Sequence, residues 1–223
     1  MTPVSILPSL LAADTGRLAD EARRAEAAGA DALHLDIMDG HFVPNISFGP
    51  DVVAMARRTV RLPLNVHLML SRPDLYVERF AKAGADTIQI HVESPCDVAA
   101  TLRRIRELGV RPAVVANPET PGEALLPFLP LADEVLCMTV HPGYGGQAFL
   151  PDALDKVPLV LAALRGAGRD ADVPIMVDGG IARDTIAPCR QAGVRSFVAG
   201  SALFRAADMA SEIAAFRAIA ATA

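Results

Sequence analysis

The sequence has few lysines, few cysteines and no long apolar run, and each shortage removes a class of protein. Apolar residues fill 52% of the 223 positions and mean hydropathy is +0.31. Yet Gly, Pro, Asp or Arg breaks every run well short of the roughly 20 residues needed to cross a bilayer, so no transmembrane helix is expected. Charge of one sign is also missing as a block. The 21 Lys and Arg and 26 Asp and Glu give a net charge of −5, spread along the chain, which predicts neither a nucleic-acid groove nor an anionic-membrane surface. Three separated cysteines, Cys96, Cys137 and Cys189, without a Cys-x-x-Cys pair, exclude a disulfide framework and a structural zinc site, and predict reduced thiols in the cytoplasm. The N-terminus has no positive segment and carries Pro3 and Pro8, so it is read as a first buried strand and not as a signal peptide.

What the sequence does contain is alternation. Apolar stripes at helical spacing occur at Leu18, Ala22, Ala25; at Tyr76, Phe80, Ala83; at Val98, Leu102, Ile105; and at Met209, Ile213, Phe216. Gly29, Gly84, Gly109 and Gly193 follow as helix terminators, and the unit AGAD recurs at 28–31 and 83–86. Short apolar runs then begin: ALHLDIM, TIQIHV, RPAVVAN and RSFVAGS. With SILPSL, LNVHLM, EVLCMTV and PIMVDGG they make eight candidate strands, each followed by a helical pattern. Eight strand–helix units predict one α/β domain over residues 1–223, a single (β/α)8 barrel of the TIM type. An open doubly wound sheet fits less well, because no GxGxxG follows the first strand.

In such a barrel the chemistry gathers at the C-terminal strand ends. All five histidines fall there: His34, His41, His67, His91 and His141. Strict alternation along the second strand turns His34, Asp36 and Met38 inward. His67 ends the third strand and Asp178 the seventh. Two imidazoles and two carboxylates at one mouth can form a divalent-metal site, for Zn, Mn, Fe or Co; for His34 with Asp36 alone, a satisfied core ion pair is the plainer reading. His91, with Glu93 two residues on, is read as support behind the ligands, and His41 as a loop residue. The glycine-rich segments HPGYGGQ, DGG and AGS close the other side of the mouth and suit a phosphate group. The stretch from Thr139 to Asp152 is long enough to act as a mobile lid.

At this point HLDIMDGHFVPNISFGP, NVHLM, ANPETP, MTVHPGYGGQ, VDGGI and AGSALF, in order and spacing, resemble the motifs of the ribulose-phosphate 3-epimerase family. The resemblance implies a (β/α)8 isomerase of the pentose phosphate pathway that interconverts D-ribulose 5-phosphate and D-xylulose 5-phosphate with one bound divalent metal ion. By position it implies His34, Asp36, His67 and Asp178 as ligands, with Asp36 and Asp178 as proton acceptor and donor. Ser9, His67, Gly143, Tyr144, Gly145, Gly146, Asp178, Gly179, Gly180, Gly200 and Ser201 match substrate contacts, and Met38, Met69, Met138 and His141 line the pocket. The chain departs from the family where it has His141 for Asn, Tyr144 for Phe and Asn65 for Asp. The expected partners are a small phosphosugar and further copies of the chain as a homo-oligomer, with no nucleic acid and no membrane.

The lysine shortage now decides between reactions. A Schiff-base aldolase needs a lysine at a strand end, whereas Lys82 precedes Gly84 on a helix and Lys156 follows the lid. A decarboxylase with Asp-x-Lys-x-x-Asp on the second strand would need lysine where Met38 stands. Epimerisation of a hexulose phosphate such as allulose 6-phosphate stays open beside the pentulose reaction, and a non-catalytic phosphosugar-binding barrel is the alternative from another class. His141, beginning the HPGYGGQ segment, is expected beside bound substrate, where an imidazole in place of Asn either replaces it neutrally, since both side chains hydrogen-bond a sugar hydroxyl, or shifts the preferred sugar.

Overall fold

A computed structural model of the chain describes residues 4–223; Met1, Thr2 and Pro3, and with them the reading of Pro3, lie outside the described residues. Eight strands are present among the described residues: β1 (Ser5–Pro8), β2 (Leu33–Met38), β3 (Leu64–Met69), β4 (Thr87–His91), β5 (Arg111–Ala116), β6 (Glu134–Met138), β7 (Ile175–Asp178) and β8 (Ser196–Ala199). The helices are α1 (Leu18–Ala27), α2 (Pro50–Thr59), α3 (Val77–Ala83), α4 (Val98–Glu107), α5 (Lys156–Gly166), α6 (Arg183–Ala192), α7 (Ser201–Phe204) and α8 (Met209–Thr222). All strands are parallel, in the order β1-β8-β7-β6-β5-β4-β3-β2, and a parallel bridge between Ser9 and His34 joins β1 to β2 and closes the ring. The eight runs read from the sequence are these eight strands, and the architecture is the (β/α)8 barrel.

Alternation sorts the side chains of each strand into two layers. Leu33, Leu35 and Ile37 of β2 face the helices and join the large core formed with Ala22, Ala25, Leu102, Ile105, Ile213 and Phe216. Leu7, Val115, Leu136, Met176 and Val198 fill the barrel centre. The recurring AGAD unit is a corner with one bonding pattern. Asp31 donates its N–H to Ile6 O and accepts Ile6 N–H on its carboxylate at 2.7 Å; Asp86 does the same with Leu64, at 2.8 Å. Each carboxylate also meets an arginine, Arg217 at 2.8 Å and Arg57 at 3.0 Å.

Two helix expectations need correction. No α-helix follows β5: residues 122–124 and 126–131 form 3-10 turns, because Pro127 and Pro130 lack the N–H and crowd the carbonyl that a continuing α-helix requires. Tyr76 does not belong to its stripe. A 3-10 turn at Pro73–Leu75 delays the start of α3 to Val77, and Tyr76 stays 39% exposed with Arg79 over its ring.

The departure at Asn65 lies one layer below the mouth, away from any ligand space. Asn65 Nδ2 and Gln89 Nε2 both donate to Glu134 Oε1, at 2.9 and 2.6 Å, in the buried barrel interior. An aspartate at 65 would replace a donor with an acceptor facing a carboxylate. Asn65→Asp is therefore expected to cost about 1–3 kcal/mol, lowering Tm by roughly 2–12 °C for a domain of this size. A thermal unfolding curve at neutral pH unchanged from wild type would contradict the donor role of Asn65.

Candidate active site

The register of the barrel assembles the site. β2 and β3 pair with Asp36 opposite His67 and Met38 opposite Met69, and β6 and β7 pair with Met138 opposite Asp178. His34 and His67 are wholly buried, and Asp36 nearly so. Asp36 Oδ1 lies 3.2 Å from His34 Nε2 and 3.1 Å from His67 Nδ1, while its Oδ2 accepts the Ser9 hydroxyl at 2.6 Å. Across the barrel, Asp178 Oδ2 stands 3.7 Å from His34 Nε2 and 3.9 Å from His67 Nδ1, and its side chain keeps 15% of its surface open to the mouth.

These four residues each offer a ligand atom, all within 4.8 Å of one another. Bonds of about 2.0–2.2 Å from a first-row divalent ion to imidazole nitrogen and carboxylate oxygen set neighbouring ligand atoms about 3.0–3.5 Å apart. The two His–Asp36 separations, 3.1 and 3.2 Å, meet that requirement, and the two His–Asp178 separations, 3.7 and 3.9 Å, lie just beyond it, so Asp178 has to move slightly inward to join a bound ion. The donor set of two imidazoles and two carboxylates suits Zn, Mn, Fe or Co.

Burial sets the electrostatics. It opposes ionisation of Asp36, but His34, by charge and hydrogen bond, and His67 hold that carboxyl far below the usual carboxylate range. Burial and the neighbouring Asp36 charge push Asp178 up to about 7, against a smaller opposing effect of His34. Burial also resists protonation of His34, yet Asp36 and Asp178 raise it above an ordinary imidazole. His67, buried and crowded by His91 and His34, falls to about 4. The two carboxyls of one site thus prefer opposite protonation states.

Above the cluster opens a cavity of about 380 Å³. Ser9, Asp36 and Asp178 reach it from below, Met38, Met69 and Met138 form apolar wall, and Gly143, Tyr144, Gly145 and Gly146 cover one side. Gly179, Gly180, Gly200 and Ser201 line the opposite side. Packing explains two of these glycines: at Gly179 (φ +116°) a Cβ would meet Val140 Cγ2 at 2.3 Å, and at Gly180 (φ +66°) the Phe149 backbone at 2.6 Å. The covering loop is tied to the β2–α2 connection, since Asn45 donates to Gly143 O and the Tyr144 hydroxyl to Pro44 O, both at 2.7 Å.

His141 departs from expectation. Its side chain is 65% exposed, turns away to Glu119 at 3.0 Å and does not line the cavity; Pro142 takes the lining position. The neighbouring carboxylate attracts the ring outward, so a sugar preference set by its imidazole loses its basis. His41 is an exposed loop residue, as read from the sequence. Neither lysine reaches the cavity: Lys82 pairs with Glu78 on α3, and buried Lys156 donates to Asn117 O and Pro118 O. The sequence reading missed Gln147, which holds the covering loop through His141 O and Tyr144 O, and Arg205, the one cation among the cavity's lining residues.

Fold and site together define a (β/α)8 barrel enzyme with a two-histidine, two-aspartate centre at the C-terminal strand ends. The chain belongs to the ribulose-phosphate 3-epimerase family, matching it over residues 5–204. It is 44% identical to a ribulose-phosphate 3-epimerase of Chlamydia trachomatis over 90% of this chain and 86% of that one. It is 42% identical to a ribulose-phosphate 3-epimerase of Bacillus subtilis over 96% of this chain and 98% of that one. In fold it is similar to the crystal structure of KGPDC from Streptococcus mutans, with TM-score 0.71, 15% identity and coverage of 100% and 99% of the two chains. A 3-hexulose-6-phosphate synthase structure gives TM-score 0.67 at 20% identity over 96% of this chain and 99% of that one. No described helix is long and apolar enough to cross a membrane.

The raised carboxyl of Asp178 has a consequence for stability. A carboxyl whose folded pKa exceeds its unfolded value of 3.8 adds stability that is complete below that value and lost as pH rises through about 7. In metal-stripped protein, Tm is expected to fall between about pH 4 and pH 7, and Asp178→Asn should remove part of that fall. A Tm difference between the two proteins that stays constant across the range would contradict the assignment.

Proposed function

We propose that this protein interconverts D-ribulose 5-phosphate and D-xylulose 5-phosphate by epimerisation at C3, with Asp36 and Asp178 as its acid/base pair. The observation that carries the reading is the pair itself. The two carboxyls come from β2 and β7, on different sides of the barrel, reach one cavity and, in the metal-free protein, favour opposite protonation states. Inversion beside a carbonyl needs that arrangement. Ionised Asp36 accepts the C3 proton from one face, protonated Asp178 returns a proton to the other, and the roles exchange in the reverse direction.

His34, Asp36, His67 and Asp178 would hold the divalent ion, Zn, Mn, Fe or Co. When bound, it supplies Lewis-acid stabilisation of the negative charge that develops on the substrate's oxygens. Ser9, hydrogen-bonded to Asp36 Oδ2, orients the accepting carboxylate. Met38, Met69 and Met138 give a pliable apolar wall that keeps water from the reacting carbon. The loop Gly143–Gly146, with Tyr144, covers the sugar. Gly179, Gly180, Gly200 and Ser201 supply backbone amides to the phosphate, and Arg205 offers the charge that balances it.

The test is solvent exchange. In D2O the wild type should convert ribulose 5-phosphate to xylulose 5-phosphate with deuterium incorporated at C3. Asp36→Asn and Asp178→Asn should each lower kcat by about 10²–10⁴-fold, with metal content measured in each variant. One of them can still exchange the C3 proton of a single epimer. Near-normal turnover in either variant, or full activity after complete metal removal, would overturn the reading.

A further inference from the structure

Beside the four clustered residues runs a row of polar side chains that the proton transfers do not use. His67 turns Nδ1 to Asp36 and Nε2 to His91, whose own Nε2 is 2.8 Å away. His91 Nδ1 lies 3.0 Å from Glu93 Oε2. The other oxygen of Glu93 accepts the Asn117 N–H at 2.8 Å and the Thr120 hydroxyl. Both rings are wholly buried and stacked, with centroids 5.0 Å apart and planes at 21°, and the Phe42 ring covers His91 at 4.8 Å.

With a divalent ion at the cluster, the row has one hydrogen-bond direction. A carboxylate only accepts, so His91 carries its proton on Nδ1 and donates to Glu93. A neutral His91 then presents a lone pair at Nε2, and the donor facing it is His67 Nε2–H. His67, with its proton there, has its lone pair on Nδ1, which points to the place where the four ligand atoms converge. The row has three polar gaps, and two neutral imidazoles bring two protons. Without a cation the Asp36 carboxylate competes for one of those protons at His67 Nδ1; with a cation at the cluster, the gap left without a proton is the one at His67 Nδ1.

We propose that Glu93, acting through His91, is a positioning residue that holds His67 in the tautomer able to bind the divalent ion. The inference rests on the metal site of the proposed function. It also gives a role to the ANPETP segment, whose Asn117 and Thr120 hold Glu93 in place while Lys156 grips the same segment through the carbonyls of Asn117 and Pro118.

Glu93→Gln is the sharp variant. Its carbonyl oxygen can keep Asn117 N–H and Thr120 while its NH2 group faces His91 Nδ1. That reverses His91 and sets two N–H groups against each other across the gap to His67. The experiment compares Zn(II)-loaded wild type and variant by chelator competition and by imidazole ¹⁵N spectra. Wild type should show protons on His67 Nε2 and His91 Nδ1. Glu93→Gln should weaken Zn(II) binding by roughly 10- to 100-fold, and Glu93→Asp, which keeps an acceptor, should recover part of the loss. A purely structural Glu93 would lower Tm without moving the tautomers or Zn(II) affinity.

An unprotonated His67 Nε2 in Zn(II)-loaded wild type would overturn the proposal, even if the variant fails to fold. So would a variant whose Zn(II) affinity stays within about twofold of wild type. Failure of the metal site itself is distinct, because wild type would then bind no Zn(II) at all, and the row would fall with it.

Discussion

A carboxylate buried inside a closed barrel has to be surrounded by donors, and the carboxylate of Asp36 organises this mouth around that need. An isolated ionised group there would cost several kcal/mol. Ser9 from the end of β1, His34 from β2 itself and His67 from β3 each meet it within 3.2 Å. The Ser9 contact crosses the β1–β2 seam, where the ring of strands closes through the bridge between Ser9 and His34. The requirement to satisfy one charge therefore also completes the barrel and aims both imidazoles at one point.

Asp178 reaches the same point from the opposite direction, and the difference between the two carboxyls follows from their neighbours. Asp36 has two imidazoles and a hydroxyl at hydrogen-bond distance; Asp178 has burial and the Asp36 charge, with the histidines 3.7 and 3.9 Å away. Like charges at close range cannot both ionise cheaply. A cation among them relieves that repulsion, and without one a proton on Asp178 does so. The feature that suits the cluster to a metal is the same one that suits the pair to acid/base work.

Much of this was legible in the sequence because alternation is a strong constraint. LHLDIM puts leucines and isoleucine on the helix side and His34, Asp36 and Met38 inside, and the structure keeps that parity. Glycines after the periodic stripes mark the corners, and Gly29, Gly84, Gly109 and Gly193 all have positive φ. The missing helix after β5 was also encoded, in the spacing of Pro121, Pro127 and Pro130, but strand–helix alternation masked it. Other features were not legible. His141 turns outward because Glu119, 22 positions earlier, lies beside it. The row from His67 through His91 to Glu93 ends on Thr120, which only the β5 loop brings near. Arg205 reaches the cavity because α7 is a single short turn.

Anomalous diffraction from crystals loaded with Zn(II) tests the central claim most directly. The account predicts one strong peak about 2.0–2.2 Å from His34 Nε2, His67 Nδ1 and one carboxylate oxygen each of Asp36 and Asp178. A peak elsewhere in the barrel, or none at these four residues with the metal present in excess, would contradict it.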